Sequence, residues 1–358
     1  MLARLFRGRR DNYSGFASDE DFVRALYGIV LGRDPDREGM EFHLRRLRER
    51  QVDRRQMARD FLRSDECRYN CLIKYPAHKV LFDFVEVADP GPFLPHVQRP
   101  AHEGPRLCEL TNPRKWLDPE WFGILEDMGT ISLFLDDMHR KFYEFAQTVY
   151  GLRKLSALGP EASILGVGAG HEMLLYWLAN NVGSVVATDL YEGEWSQANV
   201  KEGDPSVLED PSKYAPFPYR AERLSFKRMD GRKLEFPDNC FDLVYSLSSI
   251  EHFGGHQGSA KAMAEMGRVL KPGGVAAVAT EMIVNGKSHH EFFTPEDLLK
   301  HVVAPAGMPL VQVPEFRLPR HALDNPVRIP EERLHTPHLV LSQKGMLYTS
   351  VMLFFRKA

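Results

Sequence analysis

The 358-residue sequence is poor in cysteine, with four in all, and so is not a disulfide-stapled scaffold. No CxxC pair accompanies Cys67 and Cys71, which read as free thiols on one helix face, and no metal-ligand spacing is evident, so no metal is expected. Long apolar runs are missing too. Nothing approaches the roughly 18 uninterrupted apolar residues of a membrane span, and the mean hydropathy is -0.34. Nor does one sign of charge dominate: 46 Lys+Arg against 49 Asp+Glu leave a formal charge of -3. That balance gives no whole-molecule attraction to nucleic acid or anionic lipid, and no aromatic-basic stacking pattern accompanies it. Arg4, Arg7, Arg9 and Arg10 lead the chain without the apolar core of a signal peptide. The expectation is a cytoplasmic protein with no membrane span, no nucleic-acid partner and a flexible N-terminus over residues 1–18.

Hydrophobic residues at 43% and charged residues at 27% are ordinary globular usage, and the length suggests two units, or one large fold with an appended module. Neither an internal repeat nor a low-complexity tract is present. Residues 19–70 read as a small helical module. Ser18 or Asp19 can cap a helix whose apolar positions Phe22, Leu26, Ile29 and Val30 recur at helical spacing. Pro35 and Gly39 break the pattern before a second helix around Phe42, Leu44 and Leu47, and a third follows near Arg54 to Leu62. Residues 71–158, rich in proline in their first half, read as a connector and a helical cap.

The strings FVRALYGIVLGRDPDREGMEFHLRRL and MARDFLRSDE resemble a small helical domain of unknown function with the pattern LYxxxLGRxPDxxG. That resemblance implies a module often appended to bacterial glycan-handling enzymes and surface proteins, and hence association with glycan-assembly enzymes. Asp34, Asp36 and Glu38 lack the spacing of a calcium loop and are read as turn and cap residues.

From 159 to 358 the pattern changes. Short β-branched runs (ASILGV, SVVATDL, RLSFKR, FDLVYSL, GGVAAVAT and a last one within TSVMLFFRK) alternate with helical segments. This is the signature of an α/β fold with a doubly wound, Rossmann-like parallel sheet, which takes ligands at the carboxyl ends of its strands. The first strand ends in Gly166-Val167-Gly168-Ala169-Gly170, with a helix beginning near His171 or Glu172. Glycines there allow a sharp turn and close approach of a ligand. About twenty residues on, the second strand ends in Asp189, where a carboxylate can accept both hydroxyls of a ribose. Asp230-Gly231 follows the third strand, Ser248 to His252 stand at the carboxyl end of the fourth (Phe241 to Leu247), and MAEMGRVLKPGG leads into the fifth.

This ordered set resembles the class I S-adenosylmethionine-dependent methyltransferases, in the subgroup reading FDLVxS…EH…RVLKPGG (methyltransferase type 11-like). The resemblance implies S-adenosyl-L-methionine as cofactor. By that likeness Gly168 and Gly170 would line its methionine portion, Asp189 its ribose, and Asp230 its adenine amino group. Met229 would pack on the purine beside Gly231, and Ser246 would flank the sulfonium. Two departures stand out. Gly166 occupies the place of the family's usual acid and Glu172 that of its third glycine, so Glu172 is the candidate to hold the amino-acid end.

Methyl transfer needs alignment above all. An oxygen acceptor also gains from a base, for which His252, with Glu251 beside it, is the candidate. His289, His290 and Glu291 follow the fifth strand and are read as loop residues near the acceptor. The long stretch after Asp189 reads as a lid bearing Tyr191, Trp195 and Tyr214, and Pro314 to Pro337 as a second insertion. The expected function is O-methylation of a sugar, glycan-type or secondary-metabolite acceptor. Two alternatives use the same residues: a catalytically silent scaffold, and an NAD(P)-dependent oxidoreductase, which leaves Asp230 and the LKPGG turn unexplained.

Overall fold

The structure is a computed structural model that describes residues 16–73, 83–130, 138–192 and 203–358. Two compact units divide the chain. One comprises Met1–Asp83, Pro113–Phe142 and Leu334–His338, the other Phe84–Asn112, Tyr143–Arg333 and Leu339–Ala358. The stretch read as connector and cap is thus shared between them.

In the first unit, α1 (Asp19–Leu26) starts at Ser18, whose hydroxyl accepts the Asp21 N–H, and buries Phe22, Val23 and Leu26. A π-turn over Tyr27–Leu31 ends at Gly32 in the left-handed region, a conformation that costs glycine nothing. Asp36 caps α2 (Arg37–Arg48) by accepting from the Gly39 N–H, the turn-and-cap role expected of it. No residue of α2 is buried, and Phe42 is 47% exposed, so its apolar positions do not form the core face that their spacing suggested. Helix α3 (Arg54–Leu62) buries Met57, Ala58, Phe61 and Leu62. Helices α4 (Asp65–Ile73) and α5 (Pro119–Asp127) complete the unit, and Cys67 is a buried free thiol. The Cys71 side chain and the leading arginines lie outside the described residues.

The second unit opens with β1 (Phe84–Glu86) and β2 (Glu109–Leu110), followed by α6 (Arg140–Lys154). The alternating part is β3 (Ser163–Val167), α7 (Met173–Asn181), β4 (Ser184–Asp189), β5 (Leu224–Arg228), β6 (Phe241–Leu247), α8 (Gly255–Val269) and β7 (Leu270–Ile283). After it come α9 (Pro295–Leu298), β8 (Arg317–Pro319), α10 (Arg320–Asp324), β9 (Val327–Arg328), β10 (Leu341–Gln343) and β11 (Met346–Arg356). The main sheet runs β5-β4-β3-β6-β7-β11-β10-β9, with β2 against β11. Strands β5, β4, β3, β6 and β7 are mutually parallel, and β11 returns antiparallel to β7.

Order reverses between β3 and β6, which places a crevice at the carboxyl ends of these strands. The Pro-Gly-Gly expected as a turn before the fifth strand lies inside β7 instead. Gly273 has φ +79, and the pairing with β6 steps from Phe241↔Leu270 to Leu243↔Val275, so the turn is an excursion within the strand, unpaired with β6.

The long connection from β4 to β5 is described from residue 203 onward; Trp195 lies outside the described residues. Its later part packs along α7. Val207 is fully buried, the Tyr176 hydroxyl donates to the Pro211 carbonyl at 3.0 Å, and Asn180 donates to the Pro218 carbonyl at 3.0 Å.

Candidate active site

The glycine loop after β3 is held from three sides. Gly168 and Gly170 have φ of +64 and +47, a region open to glycine without strain. The Ser246 hydroxyl donates to the Val167 carbonyl at 2.8 Å, and the Ser249 hydroxyl to the Gly168 carbonyl at 2.8 Å. Ser246 therefore clamps the loop with its hydroxyl. Ser249 does the same and was missed, although it stands in the serine-rich end of the fourth strand. From the β4 side, the Thr188 hydroxyl donates to the Gly166 carbonyl at 3.0 Å.

Asp189 sits where the sequence placed it. Its Oδ2 accepts the Gly170 N–H at 3.1 Å and its Oδ1 accepts the Tyr191 N–H at 3.3 Å. Four lone-pair sites against these N–H groups leave the carboxylate acceptor capacity for a further donor. Burial pushes this carboxyl up, against the backbone N–H groups of Tyr191, Gly170 and Leu190. Tyr191 turns back at φ +51 and donates its hydroxyl to the Gly170 carbonyl at 3.0 Å. Tyr214 lies over the same loop, its ring stacked on His171 at 4.3 Å.

The third loop joins them. The Met229 N–H donates to the Asp189 carbonyl at 2.9 Å, and the Met229 sulfur accepts the Glu235 N–H at 3.4 Å. Asp230 is gripped by Arg232. Its Oδ1 accepts the Arg232 backbone N–H and Nε, each at 2.9 Å, and its Oδ2 accepts Nη2 at 2.7 Å. That pairing holds the Asp230 carboxyl below its ordinary range. The ring of Phe253, not anticipated from the sequence, lies against two glycines. A Cβ on Gly168 would meet it at 2.7 Å and one on Gly231 at 2.6 Å.

Gly166 faces Tyr245, its register partner on β6. A Cβ there would lie 2.9 Å from that of Ala169 and 3.0 Å from the Tyr245 hydroxyl. The tyrosine thus fills the space an acid at 166 would need. Its hydroxyl is buried without a hydrogen-bond partner, and burial together with the nearby Glu172 carboxylate pushes its pKa well up. Glu172 is thereby brought to this end of the loop, at the N-cap of α7 without a capping bond.

Beyond β6, the Ile250–His252 turn carries the proposed base. His252 Nδ1 stands 3.5 Å from Glu291 Oε2. Burial opposes a charged imidazole here, yet Glu291, Glu251 and Glu281 outweigh it and raise the His252 pKa. Glu251 itself is fully buried and accepts the Thr280 hydroxyl at 2.8 Å. Glu144 accepts the Ser248 and Ser350 hydroxyls at 2.8 and 2.7 Å. His289 is turned inward on its own loop, its Nδ1 accepting the N–H groups of Glu291 and Phe292.

Residues 165–278 match the family model described as a methyltransferase domain. Residues 165–278 thus form a methyltransferase domain. Residues 10–71 match a domain of unknown function (DUF4214), which agrees with the helical module. The methyltransferase GfsG of Streptomyces halstedii is 26% identical over 166 residues, covering 43% of this chain and 54% of that protein. The sterol 24-C-methyltransferase erg6 of Aspergillus fumigatus is 39% identical over 71 residues, 20% of this chain and 18% of that protein. The chain thus spans about half the length of the first relative and under a fifth of the second. Among solved structures, a TehB-like S-adenosylmethionine-dependent methyltransferase from Corynebacterium glutamicum aligns with TM-score 0.35 at 18% identity, over 60% of this chain and 97% of that one.

The methyltransferase domain's cofactor is S-adenosyl-L-methionine, and the residues present fit it. Asp189 offers a carboxylate with acceptor capacity to spare, the loop presents glycines at positive φ, and the Tyr245 hydroxyl is buried without a partner. Among the described residues no helix is long and apolar enough to cross a membrane.

Proposed function

We propose that this protein methylates a small-molecule acceptor, with a hydroxyl of a sugar, glycan-type or secondary-metabolite compound as the receiving group. The carrying observation is the Asp189 carboxylate, fixed by the Gly170 and Tyr191 N–H groups at the tips of β3 and β4. In this reading Asp189 holds the ribose, Asp230 with Met229 and Gly231 holds the adenine, and Glu172 with Gly166, Gly168 and Gly170 frames the methionine end. The cofactor supplies an electrophilic methyl on a sulfonium. The protein supplies alignment and exclusion of water.

His252 is the base. With Nδ1–H directed at Glu291, its Nε2 carries the lone pair that takes the acceptor's hydroxyl proton as the oxygen forms its new bond to carbon. Glu251 acts through His252 rather than on the acceptor. The name of GfsG favours a methyltransferase reading and says nothing of this chain's acceptor. The helical module would bring the enzyme to glycan-assembly partners in the cytoplasm.

Calorimetric titration with S-adenosylhomocysteine and with NAD is the first test. Micromolar binding of the former alone is expected. Binding of neither would leave a silent scaffold, and binding of NAD alone an oxidoreductase. Transfer of labelled methyl groups to fractionated small molecules and glycans then identifies the acceptor.

A further inference from the structure

A second site lies in three side chains that the transferase reading does not use. His256 stands in the first turn of α8. Asp297 belongs to α9, and His301 lies four residues on, in the π-turn Leu299–Val303 that continues it. One ligand atom from each of the three falls within 4.8 Å of the other two. We propose that His256, Asp297 and His301 bind a divalent transition-metal ion of the zinc class, which ties α8 to α9.

Three geometric facts carry this. First, His256 Nε2 is 3.0 Å from the Phe292 carbonyl, an oxygen that can only accept. In a neutral imidazole Nε2 then bears the proton, and Nδ1 presents a lone pair. Metal-bound histidines are commonly fixed in this way, through a carbonyl on the far nitrogen. Second, that Nδ1 faces Asp297 Oδ1 at 3.8 Å, beyond hydrogen-bond reach. A cation seated in that gap, like a proton on Nδ1, offsets the repulsion between the two groups. The other oxygen, Oδ2, is already committed to the Thr294 hydroxyl at 2.7 Å and its N–H at 3.3 Å, so Oδ1 is the one left to ligate.

Third, the His256 and His301 ring centroids are 5.1 Å apart at 28°. Two imidazoles and a carboxylate suit zinc or a similar ion, with a fourth position for water. His301 is buried, and Phe293 stacks on His256 at 5.0 Å, which shields the site. Lys300, beside His301 in sequence, is exposed. An ion here would brace the segment between β7 and α9 that carries Glu291.

The inference stands apart from the methyltransferase reading, and its test reads metal directly. The untagged full-length chain, stripped with EDTA, is titrated with Co²⁺ and then Zn²⁺. One equivalent of Co²⁺ should give visible d–d absorption that one equivalent of Zn²⁺ abolishes. His256→Gln keeps a donor for the Phe292 carbonyl but lacks the ligating lone pair, and it should weaken Zn²⁺ binding at least a hundredfold. His301→Gln should do the same, with the circular dichroism unchanged. S-adenosylhomocysteine titration of the same samples reports separately on the cofactor site. No cobalt spectrum in the parent chain, or uptake that both variants leave intact, would overturn the proposal.

Discussion

Gly166 on β3 and Tyr245 on β6 are paired across neighbouring parallel strands, the tyrosine hydroxyl 3.0 Å from where a glycine Cβ would begin. One position gave up its side chain so that the other could reach the glycine loop. Two substitutions test this with opposite signs. Gly166→Ala overpacks the contact and should cost about 1–3 kcal/mol, read from the urea midpoint. Tyr245→Phe removes a buried, unpartnered hydroxyl and should stabilise the unliganded protein by about 1–3 kcal/mol, while weakening S-adenosylhomocysteine several-fold. A Phe variant that is less stable, or that binds as tightly as the parent, would refute the assignment.

Asp189→Asn should leave the fold intact and weaken S-adenosylhomocysteine at least tenfold, because one acceptor becomes a donor facing backbone N–H groups. Since burial raises this carboxyl's pKa, cofactor binding should also fall on acidification, at a pH above that of an ordinary aspartate. Isothermal titration across pH measures both. A flat profile in the parent chain would remove Asp189 from the ribose site.

Asp230 and Arg232 are 34% and 40% exposed, and an ion pair so open to solvent contributes little to stability. Arg232→Ala should therefore shift unfolding by less than about 1 kcal/mol and leave S-adenosylhomocysteine bound at least as tightly, since it frees the carboxylate. Asp230→Ala should weaken that binding about tenfold, the order a lost charge-assisted hydrogen bond commands. If Arg232→Ala weakens it as much, the arginine and not the aspartate is the cofactor contact.

His252 and Glu291 set the pH behaviour. The raised His252 pKa stabilises the fold fully below its unfolded value of about 6.5 and loses that contribution as pH rises through the folded value. The lowered Glu291 pKa acts in the opposite sense, its contribution lost as pH falls through the folded value. As the proposed base, His252 must be neutral to act, so the acidic limb of kcat should lie above pH 6.5, and Glu291→Gln should move it to lower pH. His252→Ala should cut kcat by about 10²–10⁴. A limb unmoved by Glu291→Gln would show that some other group titrates.

Much of the fold was legible because buried parallel strands advertise themselves as short β-branched runs. Glycines at 168 and 170 and carboxylates at strand ends mark the ligand edge of such a sheet. What stayed hidden depends on contacts between strands. Tyr245 and Ser249 look like ordinary core and turn residues until register brings them to the glycine loop. Phe253 is one aromatic among many until two glycines make room for it. Pro272-Gly273-Gly274 carries a turn's composition, yet its hydrogen bonds were claimed by the neighbouring strand. Asp297 and His301 show helical spacing, but their third partner lies 41 positions upstream on another helix.

The amide and carbonyl of Gly170 are both already spoken for, the first by Asp189 and the second by Tyr191. The ordering entropy of that turn is then spent when the chain folds, not when a nucleoside arrives. Loosening Tyr191 should thus show up as slower capture and a larger entropic penalty on association, even though its hydroxyl bonds only to backbone.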